Sequence, residues 1–501
     1  MRKIYEAHQL VRLYEQAQVG QGMTPNELYE SMALQFTYKF EKLYELSYKL
    51  VHVFAGYGIN GACALAVARL LGERNYKVQV YLFYKAGELE PMCEYQRERL
   101  EQSGSKVSLT EVSREFRMPF FAQGEVIIDG LFGSELVRPL ASGYVSLIRK
   151  INASGLPIVS IDMPSGLYAQ YNTEVEHAQA VQATHTITFE TPRLAMLFEE
   201  NTHHIGHWHV VPLGIGAEAH QAVESKYRMI SDETLSTQLR IRERSIGKRI
   251  CGTALLIGGS MGMYGRLSLA AKSALKAGCG SLVAHAPLRV QGLLPLTLPE
   301  ADMTLQELTD LPHGIHHYEA VAIGTGLQTR DLEAAYLEDF FATYARPVIL
   351  DDGAIDLLCS DSKLLALTPR HSILLCSKER QIKLFGHKDC TLDLIEEASE
   401  LAIKYMLTVV LKGPYTIVCS PQGTVYFNVT GNAALATAGS GDVLTGIILG
   451  LRTRGYDDVT ACLCGCYIHG RAAEIFAARE SEESLLASDL ISYIGKVLKE
   501  L

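Results

Sequence analysis

The sequence predicts an α/β protein with parallel sheets, arranged in two or more domains. Short apolar runs alternate with helical patterns over most of the chain, which is typical of parallel strands covered by helices. The chain has 501 residues, of which 48% are hydrophobic, enough to form large cores. A polar, charged stretch between Ala217 and Lys248 interrupts the alternation and predicts the domain connection. Functional residues are expected beyond the carboxyl ends of the strands.

Charge and composition favour small molecules as partners. The net charge is −10 and no long basic run occurs, which argues against nucleic acid. The first thirty residues contain no uninterrupted apolar core, so they do not resemble a signal peptide. No apolar run reaches the ~20 residues needed to span a bilayer. We therefore expect a cytoplasmic protein with no membrane partner.

The eleven cysteines are scattered, many of them inside apolar runs, as is typical of reduced, buried thiols. Cys462, Cys464 and Cys466 form the densest group. Metal sites usually leave two or more residues between paired cysteines, and on a helix only Cys462 and Cys466 would share a face. Packing in the core is the favoured interpretation.

The first domain begins with predicted helices over residues 1–48, which we expect to pack on that domain or on a second subunit. An apolar stripe runs along the first helix at Leu10, Leu13, Tyr14 and Ala17. Thr24 to Glu27 resembles a capping box before the next helix. The predicted elements that follow are strands at 50–56, 77–84, 126–129, 157–162 and 184–190 and helices at 61–74, 89–103 and 142–153.

Three loops at predicted strand ends of the first domain carry residues suited to chemistry. They are the glycine-rich turn 56–62, the loop that follows Asp129, and the segment 162–166, which reads DMPSG. Each loop alone could be turn chemistry, since tight turns favour glycine, proline, aspartate and serine. Their occurrence in order along one sheet favours a site.

The second domain opens with a βαβ pattern over 252–287. Further strands are predicted at 319–328, where the strand ends on a glycine turn, and at 346–354, where it ends on paired acids, while 408–428 is predicted to form a strand, a turn and a β-hairpin. Lys412 stands at the end of the first strand in that last segment. It is either a solvated surface lysine or a cation for a nucleotide phosphate.

The stretch Gly431–Gly450 combines a loop of small residues with the start of an apolar helix. Unpaired N–H groups and the helix dipole favour phosphate oxygens at such a start, and Gly439 and Gly441 would let the main chain approach them closely. Asp442 is the acid of this loop. It either caps the helix or removes a proton from a bound molecule.

The order and spacing of these motifs resemble the bifunctional NAD(P)H-hydrate repair enzymes. The resemblance covers residues 1–215 and about 240–500. It implies a Rossmann-like three-layer α/β/α epimerase domain at 1–220 and a ribokinase-like, ADP-dependent dehydratase domain at 235–501. It also implies a homo-oligomer.

In the epimerase domain the resemblance implies a potassium site made of oxygen donors. Its ligands would be Asn60, Asp129 and Ser165. Hydrate-binding residues would be Asn60, Gly133 and Asp162, with Asp162 also an acid/base in epimerisation.

The substrate loop of this domain departs from the family pattern. Ile59, Ala62 and Cys63 replace the family's asparagine, glycine and aspartate, and Glu135 replaces a glycine. Arg193 stands where the family has a lysine, and arginine holds its proton too firmly to exchange it in catalysis. The resemblance therefore leaves epimerase activity open.

In the dehydratase domain the resemblance implies an ADP site and a hydrate site that meet at Asp442. The ADP-binding residues would be Lys412, Gly413, Pro414, Tyr415, Thr416 and Gly441. Gly326 and Asp442 would bind the hydrate, and Asp442 would be the catalytic base. The departures are Arg266, the segment Asp351 to Ile355, and Lys378, which replaces a hydrate-binding histidine.

The implied reaction is the ADP-dependent dehydration of hydrated NADH or NADPH, giving AMP and phosphate, with ADP or ATP, Mg²⁺ and K⁺ as cofactors. Two other hypotheses stay open. A ribokinase-like small-molecule kinase would make a stable phosphate ester, and a catalytically silent protein would bind nucleotide only.

Overall fold

The computed structural model describes residues 1–44, 50–84, 89–113, 116–172, 175, 179–240, 242–244 and 246–501. Residues 45–48 of the predicted helical extension, and positions 241 and 245 of the predicted connection, lie outside the described residues. The chain forms two compact units. The N-terminal unit comprises Lys3–Ser225 with Asp389–Leu392, and the C-terminal unit comprises Met1–Arg2, Lys226–Lys388 and Asp393–Leu501.

Helices and strands alternate through the N-terminal part of the chain. In chain order they are β1 (Arg2–Ile4), α1 (Ala7–Gln21), α2 (Pro25–Leu43), β2 (Val51–Ala55), α3 (Ile59–Glu73), β3 (Val78–Phe83), α4 (Pro91–Gln102), β4 (Val107–Val112), β5 (Val126–Gly130), α5 (Ser142–Asn152), β6 (Ile158–Ile161), β7 (His185–Phe189), α6 (Thr202–Ile205), β8 (His207–Val211) and α7 (Ala217–Ala222). The predicted capping box is confirmed, since the Thr24 hydroxyl accepts the Glu27 N–H and Glu27 accepts the Thr24 N–H.

The sheet of the N-terminal unit is parallel and has the order β4-β3-β2-β5-β6-β7-β8. Strands β4 and β8, which are the two edge strands, were not predicted from the sequence. Both carry partly exposed polar side chains instead of an apolar run, so they lack the pattern that predicted the central strands. The predicted parallel α/β arrangement is confirmed.

The second part of the chain continues the alternation. Its elements are β9 (Tyr227–Met229), α8 (Asp232–Ser236), β10 (Thr253–Ile257), α9 (Tyr264–Lys276), β11 (Ser281–His285), α10 (Leu288–Gln291), α11 (Leu294–Thr297), β12 (Ala301–Met303), β13 (Ala320–Ile323), α12 (Ala334–Thr343), β14 (Val348–Asp351), α13 (Gly353–Ser360), α14 (Lys363–Leu367), β15 (Ile373–Cys376), α15 (Lys378–Phe385), α16 (Thr391–Tyr405), β16 (Thr408–Leu411), β17 (Thr416–Cys419), β18 (Val425–Asn428), α17 (Ser440–Thr453), α18 (Asp458–Ala477) and α19 (Ala487–Glu500).

In the C-terminal unit the strands follow the order β9-β18-β17-β16-β15-β14-β13-β10-β11-β12. Strands β10 to β16 pair in parallel, and β17 and β18 extend the sheet as the predicted hairpin. Strand β9, which lies in the polar stretch 217–248, pairs with β18. Three strands were not predicted from the sequence, each only three or four residues long: β9, β12 and β15.

Helices α9 and α17 pack very closely. A Cβ atom built on Gly446 would lie 2.1 Å from the Ala270 carbonyl oxygen, and one on Gly450 would lie 2.4 Å from that of Ala274. Only glycine therefore fits at these two positions of α17. The two contacts lie four residues apart on each helix, so α9 and α17 run side by side in the same direction. The first turn of α9 therefore lies beside the first turn of α17.

The three clustered cysteines lie on α18 and are buried in the core of the C-terminal unit. The predicted core packing of Cys462, Cys464 and Cys466 is confirmed. Among the described residues, no helix combines the length and the apolar composition that crossing a bilayer requires.

Candidate functional site

Asp442 lies in the first turn of α17 and is 4% exposed. The helix cap is Gly439, which adopts a left-handed conformation (φ 89°), and no side chain caps the helix. The capping interpretation of Asp442 is therefore wrong. Its Oδ2 atom instead lies 3.3 Å from Nε of Arg266.

The environment of Asp442 suits proton transfer near neutral pH. Burial raises the pKa of its carboxyl group to about 7, against the attraction of Arg266 and Lys412, and the neighbouring carboxylates Asp351 and Asp352 add to the rise. A carboxyl group with this pKa can be ionised, and so act as a base, at pH 7.

Lys412 follows β16 and is not a solvated surface lysine. Its Nζ donates to Oδ1 of Asp351 at 2.9 Å, and its side chain is 18% exposed. Oδ2 of Asp351 accepts the Thr445 hydroxyl of α17 at 2.5 Å. A Cβ atom on Gly441 would lie 3.3 Å from Nζ of Lys412. The lysine thus stands beside the helix start, where its charge and the helix dipole act together.

The other predicted ADP contacts extend from Lys412 into a turn. Gly413 and Pro414 are exposed, Tyr415 is half-buried, and Thr416 begins β17. These four residues follow Lys412 directly in the chain, and the exposed part of the turn is therefore next to the lysine that faces the start of α17.

The predicted hydrate wall is built around Arg266. Gly326 has a φ of 62°, and a Cβ atom there would lie 2.8 Å from the Met263 carbonyl oxygen and 3.1 Å from Cβ of Arg266. Arg266 also pairs with Asp352, whose Oδ1 lies 3.0 Å from Nη2 of Arg380. A cavity of about 690 Å³ opens here, lined by residues that include Met263, Arg266, Gln328, Arg330, Asp352 and Arg380. Lys378 is exposed at the start of α15.

His469 of α18, which was not predicted as a site residue, contacts the start of α17. Its Nε2 lies 2.9 Å from the Ser440 carbonyl oxygen and 3.1 Å from the Ser440 hydroxyl. Burial lowers the pKa of His469 to about 4, so the ring is neutral at pH 7 and can donate from Nε2 to the carbonyl oxygen. A lone histidine inside an apolar helix was the only sequence signal.

In the N-terminal unit the three predicted potassium ligands lie at the carboxyl edge of the sheet. Asp129 is fully buried at the end of β5, and its carboxylate accepts the Ser165 hydroxyl at 2.5 Å and the Ser165 N–H at 2.8 Å. Asn60, in the first turn of α3, donates to the Ile161 carbonyl oxygen at 3.3 Å. Burial raises the pKa of Asp129, and no cationic side chain among the described residues pairs with it.

Asp162 follows β6 and has a φ of 66°. Both oxygens of its carboxylate accept hydrogen bonds. Oδ2 accepts the Ser134 N–H at 2.8 Å, and Oδ1 accepts the Thr188 hydroxyl at 3.0 Å and lies 2.6 Å from Nη2 of Arg193. Burial opposes ionisation, but the Arg193 charge and these hydrogen bonds outweigh it and lower the pKa of Asp162. The carboxylate is thus a weak base.

Glu135 fills the space beside the predicted hydrate contact Gly133. One of its carboxylate oxygens accepts the Asn60 N–H at 3.3 Å, and the other would lie 2.7 Å from a Cβ on Gly133. Residue 135 is exposed as a whole, but its carboxyl group turns inward, and its removal from water raises its pKa to about 7. A carboxylate therefore occupies the start of α3, where an anion would bind.

The fold and the two sites define an α/β protein of two units, each with acidic and basic side chains gathered at the carboxyl ends of parallel strands. The NAD(P)H-hydrate dehydratase family matches residues 254–496, and the YjeF-related protein N-terminus family matches residues 25–195.

Relatives with both domains align along most of the chain. The bifunctional NAD(P)H-hydrate repair enzyme Nnr of Vibrio cholerae is 30% identical over 384 residues, which are 75% of each chain. The enzyme of the same name from Moorella thermoacetica is 29% identical over 491 residues, 95% of this chain and 92% of the relative. The chain belongs to the bifunctional NAD(P)H-hydrate repair enzyme family.

Among solved structures, the ADP/ATP-dependent NAD(P)H-hydrate dehydratase of Bacillus subtilis, co-crystallised with ATP and Mg²⁺, is 32% identical. The match covers 55% of this chain and 98% of that protein, with a TM-score of 0.47.

Proposed function

We propose that this chain repairs hydrated nicotinamide nucleotides, and that its C-terminal unit dehydrates hydrated NADH or NADPH at the expense of ADP or ATP. The main support for the proposal is that Asp442 and Lys412 lie together at the start of α17, at one edge of the sheet. The chain also belongs to the family of these repair enzymes. The N–H groups of α17 and the ammonium group of Lys412 would hold the nucleotide phosphates.

In the proposed reaction Asp442 removes the proton from the hydroxyl group on the hydrated ring. The hydroxyl oxygen attacks the terminal phosphorus of ADP, and the bond from that phosphorus to AMP breaks. Phosphate then leaves the ring carbon while the neighbouring carbon loses a proton, which restores the double bond. The ion pair with Asp351 keeps Lys412 aimed at the helix start during these steps.

Bound Mg²⁺ would neutralise phosphate charge during the transfer. Among the described residues, no group of three or more histidine, cysteine, aspartate or glutamate side chains could hold a metal. This fits Mg²⁺, which usually keeps one or two carboxylates and takes its other ligands from nucleotide phosphates and water.

For the N-terminal unit we propose a retained potassium site and weakened epimerisation. Asn60, Asp129 and Ser165 supply oxygen donors, and a bound K⁺ would provide the positive charge that the buried Asp129 carboxylate lacks. Epimerisation would suffer because Arg193 holds Asp162 as an ionised, hydrogen-bonded carboxylate, while Glu135 fills the anion position.

The test is to incubate the purified protein with NADH hydrate, Mg²⁺ and ADP or ATP while following the absorbance of the reduced nicotinamide. The Asp442→Ala variant should bind ADP, shown by a thermal shift, and should lose turnover by about 10²-fold or more. Near-normal turnover in that variant would refute the assignment of the base.

The same assay separates the other hypotheses. A phosphorylated hydrate that accumulates without reduced nicotinamide would identify a kinase. A thermal shift with ADP and no product would identify a silent nucleotide-binding protein. Light scattering after gel filtration tests the homo-oligomer that we propose for this chain.

A further inference from the structure

Arg266 holds a position between the proposed base and the proposed hydrate contact. It lies in the first turn of α9, with Nε 3.3 Å from Asp442 and Nη1 paired with Asp352. Its Nη2 donates to no atom among the residues that the structure describes, and its side chain is 42% exposed at the cavity of about 690 Å³. One face of the guanidinium group is therefore anchored, and the other is open to a ligand.

The surrounding structure fixes this arginine. The close packing at Gly446 holds α9 against α17, so residue 266 stays beside residue 442. Asp352 is itself held by Arg380, at 3.0 Å, and adopts an unusual backbone conformation with a φ of 41°. Asp352 is thus a fixed anchor, and it would keep Arg266 in place if the contact with Asp442 were lost.

We propose that Arg266 binds the phosphoryl group during its transfer and is released for this task when Asp442 takes up the substrate proton. The inference rests on the proposed function of the C-terminal unit. When Asp442 gains a proton its charge disappears, so its attraction for the guanidinium group falls. Negative charge on the phosphoryl oxygens increases at the same stage, and the open Nη2 can donate to them. Arg266 keeps its own proton throughout.

The experiment compares Arg266→Ala and Arg266→Lys with the parent protein. Lys272→Ala is the matched control, because it removes an exposed positive charge from the same helix two turns from the site. We expect Arg266→Ala to lower kcat by about 10²-fold or more and to change KM for the hydrate by less than about threefold. In Arg266→Lys, kcat should fall about tenfold, since lysine has no planar group that could bind two partners at once. Lys272→Ala should stay within about twofold of the parent.

Two further measurements separate a phosphoryl contact from a simple effect on Asp442. Removing Arg266 takes a positive charge from Asp442, so its pKa should rise and the activity should shift to higher pH. If Arg266 binds the phosphoryl group, kcat at the alkaline plateau stays low and added guanidinium ions raise it. Full recovery at the plateau would overturn the inference, as would unchanged kcat in Arg266→Ala.

The contact between Arg266 and the phosphoryl group can also be tested by binding alone. This test still applies if the parent protein regenerates no NADH and the proposed function is wrong. AMP with Mg²⁺ and aluminium fluoride mimics the phosphoryl group in transfer. Calorimetry should show that Arg266→Ala binds this mimic at least about tenfold more weakly than the parent protein does. ADP affinity should change by less than about threefold. Equal binding of the mimic by the parent and the variant would refute the phosphoryl contact.

Discussion

Each unit contains an aspartate paired with an arginine at the edge of its sheet, and the two pairs differ in what they permit. In the N-terminal unit Arg193 is 2% exposed, lies 2.6 Å from Asp162 and lowers the pKa of that carboxyl group. In the C-terminal unit the partly exposed Arg266 lies 3.3 Å from Asp442, whose pKa is raised to about 7. The first carboxylate is held ionised and fully bonded, whereas the second can exchange a proton at neutral pH.

The comparison shows that an ion pair at a strand end does not identify a catalytic base. Whether the carboxylate can act as a base depends on its pKa, which burial raises and nearby hydrogen-bond donors and cations lower. Asp162 receives donors on both oxygens, which favour its charged form, and Arg193 also donates to two backbone carbonyl groups. Asp442 has Arg266 and Lys412 nearby, but burial and two other carboxylates oppose its ionisation more strongly.

The largest expected effect is on stability. Arg193→Ala leaves Asp162 buried and unpaired, so we expect the free energy of unfolding of the N-terminal unit to fall by about 3–5 kcal/mol. Arg266→Ala should cost the C-terminal unit about 1 kcal/mol or less, because Arg266 is partly exposed to water and Asp442, whose pKa is about 7, can take up a proton when its partner is lost. The single tryptophan, Trp208 in β8, reports on the N-terminal unit in urea titrations. Circular dichroism follows the whole chain.

Equal losses in the two variants would contradict the distinction between a structural and a functional pair. Arg149→Ala, on the amphipathic helix α5 of the N-terminal unit, serves as the control for removing an exposed positive charge. It should change the urea midpoint seen by Trp208 by the equivalent of about 0.5 kcal/mol or less.

A second prediction concerns the pH dependence of dehydration. Because Asp442 must be ionised to remove a proton and its pKa is about 7, kcat/KM should fall about tenfold per unit as the pH drops below 7. Above that value the rate should reach a plateau. Asp162, whose pKa is lowered, stays ionised over this range and should not contribute. Initial rates between about pH 5 and 9, corrected for spontaneous decay of the nucleotide, test this. A flat profile would remove Asp442 as the base.

Much of the fold could be predicted from the sequence, because central strands such as β2 and β5 are short, mostly apolar runs that are fully buried. The edge strands β4 and β8 lacked that pattern, and β15, which is central and apolar, was missed as a run of only four residues. Within the sites, the motifs located Lys412 and Asp442 but could not give the partners Asp351 and Arg266. Those contacts depend on how strands and helices align in space, and the register of α9 on α17 is set by Gly446, more than 170 positions from Ala270.

The smallest expected effect would show whether the N-terminal site still binds a ligand despite its fixed Asp162. If Asn60, Asp129 and Ser165 hold K⁺, replacing Na⁺ by K⁺ at constant ionic strength should raise the Tm of the N-terminal unit by a few degrees, equivalent to about 1 kcal/mol. Asp129→Asn should abolish the shift, because the amide supplies no charge to balance the cation. Glu135→Gly removes the acceptor of the Asn60 N–H but leaves the side chains of all three donors in place, so it should preserve the shift. An equal K⁺ response in Asp129→Asn would place the cation elsewhere and leave the buried Asp129 carboxylate to be explained by its hydrogen bonds with Ser160, Ser165 and the Leu131 N–H.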